Sequence, residues 1–148
     1  MGLINQPSSL LTELADLRRE IAELRKRSAA PVAVVAVPFT PARAQDLPTV
    51  TAADFETVWQ ASVPAWCPTL FLTTVDGCDA GTAGEGQLVL TDSNGTQTVG
   101  WACGEGLTRT VRGPFSLAEG QVQIIVQYRV TTGAGALRAL VADARQQR

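Results

Sequence analysis

Beyond residue 51 the chain has no stretch in which apolar residues recur with a helical period, so antiparallel β-structure is the architecture left to most of its length. The clearest case is QVQIIVQYRV at 121–130, where Val122, Ile124, Val126, Tyr128 and Val130 share one face and Gln123, Gln127 and Arg129 the other. That alternation is the pattern of a half-buried strand. Six further runs read the same way, at 55–63, 69–75, 86–91, 96–102, 108–115 and 136–142. Turn residues separate them: Asp76-Gly77, Ser93-Asn94-Gly95 and Thr132-Gly133, with Asn94-Gly95 a hairpin signal between LVLTD and TQTVGW. About seven short strands at this spacing predict an antiparallel β-sandwich, jelly-roll-like, over 51–148. One stretch is ambiguous. Thr51-Ala52-Ala53-Asp54 resembles a capping box before a helix carrying Phe55, Val58, Trp59 and Ser62 on one face. Thr57, Val58, Trp59 and Val63 favour a strand, and Phe55, Trp59 and Val63 also fit a period of two, so a strand is expected.

The first 28 residues follow another rule. Leu10, Leu14, Leu17, Ile21 and Leu24 alternate steps of four and three, the spacing of a coiled-coil seam. Pro7, Ser8 and Ser9 supply start signals, and Arg25, Lys26 and Arg27 fall in the last turn, where cations complement the helix dipole. With Leu14 and Ile21 at a and Leu10, Leu17 and Leu24 at d, Glu13 and Glu20 fall at g and Arg18 and Arg25 at e. In a parallel assembly each g residue faces the e residue five positions on in the next chain, so Glu13 meets Arg18 and Glu20 meets Arg25, both with opposite sign. This favours a parallel homo-oligomer over a helix lying on its own domain. The seam is short, so further contacts must support it. Leu14 and Ile21 at a do not separate dimer from trimer.

Between these parts, residues 28–50 carry Pro31, Pro38, Pro41 and Pro48, a density that forbids helix and gives an extended linker over 29–50. The VAVVAV run at 32–37 is too apolar to stay in water. It is expected to lie as a strand against a neighbouring chain, or to be the first strand of the chain's own domain.

Composition narrows the chemistry. The 148 residues, 45% apolar and 18% charged, suit one globular domain plus an appendage. There is no histidine, which removes the usual general base near neutral pH, the commonest metal ligand and every Ser-His or Cys-His arrangement. No catalytic residue, cofactor or metal is expected. The net charge is −2: the first 30 residues carry +1 and the rest −3, with no basic surface for nucleic acid. No apolar run is long enough to span a membrane and no export signal opens the chain, so the chain as written is expected to be the mature protein. All basic residues but Lys26 are arginine, a usage common in GC-rich genomes. Cys67, Cys78 and Cys103 contain no CxxC pair. Reduced, partly buried thiols are expected, with Cys67–Cys78 or Cys78–Cys103 bridges as the alternatives outside the cell.

The remaining constellations are weak. Asp76, Asp79, Asp92 and Glu85 lie near loops, but their spacing is not that of a calcium loop and nothing sets them up as a glycosidase pair; solvated turn carboxylates are expected. Gly81, Gly84 and Gly86 have neither the lysine nor the helix of a phosphate loop. Trp59, Trp66 and Trp101 are the aromatic surface available for stacking on a sugar. Trp59 is expected in the core, and Trp66 and Trp101 are the candidates for a glycan or subunit interface.

The order of features also resembles a known family. A Leu-heptad helix, a Pro- and Ala-rich linker, then DFETVWQASVPAWCPTLFLTTVDG, GEGQLVLTDSNGTQTVG and VQIIVQYRVTTGAGALRALV look like the small coiled-coil plus β-sandwich virion proteins of actinobacterial tailed phages, of the minor tail, fibre or head-decoration type. The resemblance implies a non-enzymatic structural protein, made in the host bacterial cytoplasm and built into the virion. Its helices would bundle, commonly as a trimer, its partners would be itself and other virion proteins, and its sandwich would project outward. A carbohydrate-binding module for adhesion to a bacterial surface is the rival expectation.

Overall fold

The structure, a computed structural model, describes residues 6–28, 34–36 and 44–148, with side chains over 12–23 and 45–148. The chain divides into two compact units, Met1–Pro31 and Val32–Arg148.

The first unit contains helix α1, Gln6–Ser28, about 34 Å long at 1.5 Å per residue. Its sequence explains its ends. Pro7 falls in the first turn, where a missing amide hydrogen costs nothing, and the basic run 25–27 closes the last turn. Leu14, Leu17 and Ile21 stack along one face by the three-and-four spacing and stand about half exposed.

The second unit is mainly β, with two antiparallel sheets. Its strands are β1 (Val34–Ala36), β2 (Thr49–Val50), β3 (Glu56–Pro64), β4 (Thr69–Cys78), β5 (Ala83–Asp92), β6 (Gly95–Cys103), β7 (Thr108–Ser116), β8 (Gln121–Thr132) and β9 (Leu137–Gln147). A single 3₁₀ turn, Ala44–Asp46, precedes β2. One sheet runs β9-β4-β7, with β1 and β2 end to end along the free edge of β9; the other runs β3-β8-β5-β6.

All seven runs expected as strands are strands. The 55–63 segment is a strand rather than a helix, paired with β8 along its length. A register shift between Thr57 and Trp59 makes Val58 an extra residue, and such a bulge exchanges the faces on either side of it. Phe55 therefore leaves the face it would share with Trp59 and Val63 and lies against Arg129, whose guanidinium is 4.5 Å from its ring centre. The last strand is longer than the 136–142 read from apolar residues, because β4 and β1 pair with its polar end as far as Gln147 and Gln146. Within 29–50, Val34–Ala36 pairs with β9 of its own domain, as does Thr49–Val50. Residues 32, 33 and 37 of the apolar run lie outside the described residues, as do Pro31, Pro38 and Pro41.

Both sheets turn one face to a single apolar cluster. β4 and β9 supply Leu70, Leu72, Leu137 and Val141; β5 and β8 supply Leu88, Leu90, Ile124 and Val126, all close to fully buried. The five alternate positions 122, 124, 126, 128 and 130 of β8 all lie in it, as the pattern requires. The β5–β6 hairpin turns at Ser93-Asn94. Gly95 carries the positive φ of 122°, Asn94 N–H donates to Asp92 Oδ1 at 2.8 Å, and no non-glycine among the described residues has positive φ. No helix among the described residues is long and apolar enough to cross a membrane.

Candidate functional site

Three places bring together the residues singled out by the sequence. On α1, Leu14, Leu17 and Ile21 are 48%, 53% and 48% exposed, a continuous aliphatic strip open to solvent in the single chain. Glu13, Arg18 and Glu20 are exposed beside it. Among the described residues an ion pair runs along the helix surface, Arg19 to Asp16 at 3.5 Å. The side chains of Leu10, Leu24 and Arg25 lie outside the described residues.

The second place is the loop between β3 and β4. Trp66 is 59% exposed, the most exposed large apolar side chain among the described residues. Its backbone is fixed. Gln146 of β9 accepts from the N–H of Trp66 at 2.8 Å and of Cys67 at 3.1 Å, and its amide donates to the carbonyl of Pro64 at 2.8 Å. Ala65 N–H donates to Gly120 O and Leu117 N–H to Pro68 O, both at 2.8 Å, so the loop is also tied to its neighbours. Beside the indole is an apolar recess of about 100 Å³, lined among others by Trp59, Val63, Leu70, Ala144 and Gln146. Sugar sites surround an aromatic face with free donors and acceptors; here Gln146 spends its oxygen twice and an amide hydrogen once on backbone.

The third place lies between β4, β6, β7 and β8. Asp76 Oδ2 accepts from Arg112 Nη2 at 2.9 Å and from Tyr128 Oη at 3.0 Å, and Arg112 Nε donates to Thr74 Oγ1 at 2.9 Å. The same guanidinium sits 4.1 Å from the Trp101 ring centre, and Trp101 meets Tyr128 edge to face at 5.8 Å. Trp101 is thus partly covered by its own chain, more than Trp66, and its Nε1 is buried without a hydrogen-bond partner. Gly86, opposite Trp101 in the β5–β6 ladder, has no room for a side chain, because a Cβ would enter the indole and the Tyr128 ring.

Cys78 Sγ donates to the Cys103 carbonyl at 3.5 Å, and all three cysteines are buried and outside any disulfide. Burial first, then the Asp76 charge, pushes the Cys103 thiol up to about 12, and the same causes with Asp79 raise Cys78. Both are held as neutral thiols near pH 7, which makes them poor nucleophiles.

Of the four acids expected as solvated turn carboxylates, Asp76 departs from that reading, while Asp79, Glu85 and Asp92 stay partly exposed; each of the four has a partner. Asp76 is buried in the network just described. Asp79 binds Arg138 and the N–H of Ala136, Glu85 binds Arg129 at 2.8 Å, and Asp92 accepts from the N–H groups of Asn94 and Ala118. Asp79 is held below the usual carboxylate range, chiefly by the Ala136 hydrogen bond and then by Arg138. Among the described residues no group of three or more Cys, Asp or Glu is placed to hold a metal.

Two residues that organise these places, Gln146 and Arg112, were not singled out in the sequence. The one signal available was Tyr128, a hydroxyl on an otherwise apolar face that required a buried partner.

Against known protein families, curated proteins and solved structures, the chain finds no match.

Proposed function

We propose that this chain is a non-enzymatic structural protein of a phage virion, a parallel homo-oligomer, trimer rather than dimer, that serves as an appendage of tail or capsid. The observation that carries the reading is the open strip of Leu14, Leu17 and Ile21 on a 23-residue helix. Such a helix is marginal alone in water and gains stability by burying the strip against copies of itself as a coiled coil.

The strand order supports the accompanying β-sandwich and its jelly-roll form. Counting β1 with β2 as the first of eight strands, the pairs are first with eighth, second with seventh, third with sixth and fourth with fifth. That pairing order supports a double Greek key, the arrangement of capsid and lectin domains. Fold alone does not assign function; it agrees with the virion reading and with its rival.

The test is the solution mass of the full chain against Leu17→Asp/Ile21→Asp. A trimer that falls to monomer supports the reading, and a full chain that is monomeric at all concentrations removes it. The rival, a carbohydrate-binding module for a bacterial surface, draws on one observation, the exposed indole of Trp66. Loss of glycan-array binding in Trp66→Ala is the outcome that would favour it.

A further inference from the structure

The position of Trp66 in the fold points to a partner. β1 begins at Val34, whose register partner on β9 is Gln146, the residue that holds the backbone of Trp66 and Cys67 and the carbonyl of Pro64. The exposed indole therefore lies at the end of the domain where the chain arrives from α1. Helix α1 ends at Ser28 and β1 starts at Val34, and six residue steps span at most about 21 Å when fully extended. Helices in a parallel bundle lie about 8–10 Å apart. Copies joined through α1 are thus tethered, each by this short link, at their Trp66 ends.

The surface there has the character of a subunit contact. A large indole stands out beside an apolar recess, and the nearby polar side chain, Gln146, is committed to its own backbone. Exposed tryptophan beside a pocket is the usual anchor of a protein interface. The heptad strip covers only about two and a half repeats, so the oligomer needs a second contact.

We propose that the Trp66 end of the domain is that second contact: the indole and recess of one copy seat against the same region of the next copy in the helix-joined oligomer. The inference rests on the self-association proposed above and names where the domains meet.

The experiment uses the full chain. Sedimentation equilibrium over a dilution series compares the native chain, Trp66→Arg, Trp66→Phe and Leu17→Asp/Ile21→Asp, with thermal melting as a check on folding. Trp66→Arg is expected to raise the half-dissociation concentration at least tenfold and Trp66→Phe to restore most of the difference. Iodide quenching of tryptophan fluorescence in the native chain is expected to rise on dilution through dissociation. If the native chain is oligomeric but Trp66→Arg dissociates within twofold of it, the Trp66 contact is overturned while helix association stands. If quenching is the same in oligomer and monomer, the contact is likewise overturned, even should the arginine variant not fold. A native chain that never associates overturns both readings.

Discussion

Tyr128 on β8 donates its hydroxyl to Asp76 on β4 at 3.0 Å, so one buried hydrogen bond joins the two sheets. Arg112 shares the same carboxylate oxygen from β7. The three side chains make a polar island inside an apolar cluster, with both donors converging on one acceptor. Removing the acceptor is therefore far worse than removing one donor. Asp76→Ala leaves the Arg112 charge without its partner and is expected to cost about 3–5 kcal/mol. Tyr128→Phe deletes one bond while Asp76 keeps Arg112, a loss of about 1 kcal/mol. Urea midpoints rank the two; equal losses would show that the island is not organised around the carboxylate.

Alkaline pH should weaken the fold. Cys103 is raised from 9.0 to about 12, and Cys78 and Tyr128 are raised in the same direction, each first by burial. A raised pKa means that the folded state holds the proton longer than the unfolded chain. Stability is then full below the unfolded pKa and falls as pH climbs toward the folded one. Denaturant midpoints are expected to be flat from pH 7 to about 9 and to fall between about 9 and 12. Cys103→Ala should make that fall shallower. Asp79 acts at the other end, its lowered pKa adding stability that is lost as pH drops below its ordinary value of 3.8.

The charges flanking the helix strip predict who pairs with whom. In the proposed parallel oligomer, Glu13→Arg/Glu20→Arg would place like charges against Arg18 and Arg25 of the next copy and should weaken self-association. Arg18→Glu/Arg25→Glu should do the same alone. Mixed together, the two variants should form hetero-oligomers in preference to either homo-oligomer, as native mass spectrometry would read. Random mixing would count against a parallel arrangement.

Gly86 and Gly104 offer a matched comparison. A Cβ at Gly86 runs into Trp101 and Tyr128, whereas at Gly104 it meets nothing within 4 Å. Gly86→Ala is expected to cost about 1–3 kcal/mol, and Gly104→Ala to stay within about 0.5 kcal/mol of the native chain. Thermal melting distinguishes them.

What the sequence made legible was local. The faces of β8 follow from a two-residue repeat, and the β5–β6 hairpin from Asn94-Gly95. The free strip of α1 follows from steps of three and four. What it hid was set by distant partners. Asp76 meets Arg112 and Tyr128 across 36 and 52 residues, so nothing near Asp76 marked it as buried rather than part of a turn. Gln146 reaches Trp66 across 80 residues. Trp66 and Trp101 looked alike until the fold placed Arg112 and Tyr128 on one and left the other bare. The Val58 bulge, which redirects Phe55, is likewise a matter of pairing with β8.

The antiparallel pairing of β1 with the far end of β9 also decides how the domain bears tension. Val34, where the chain arrives, sits opposite Gln146, where β9 is about to finish. A pull between Val34 and the end of β9 therefore opens the β1–β9 ladder like a zipper, loading its few hydrogen bonds one after another instead of all at once. A pull between Val34 and the opposite end of the domain, where the β4–β5 and β8–β9 loops lie, loads the same ladder along the strands, its hydrogen bonds together in shear. The domain therefore yields more readily to traction on the end of β9 than to a pull at its opposite end.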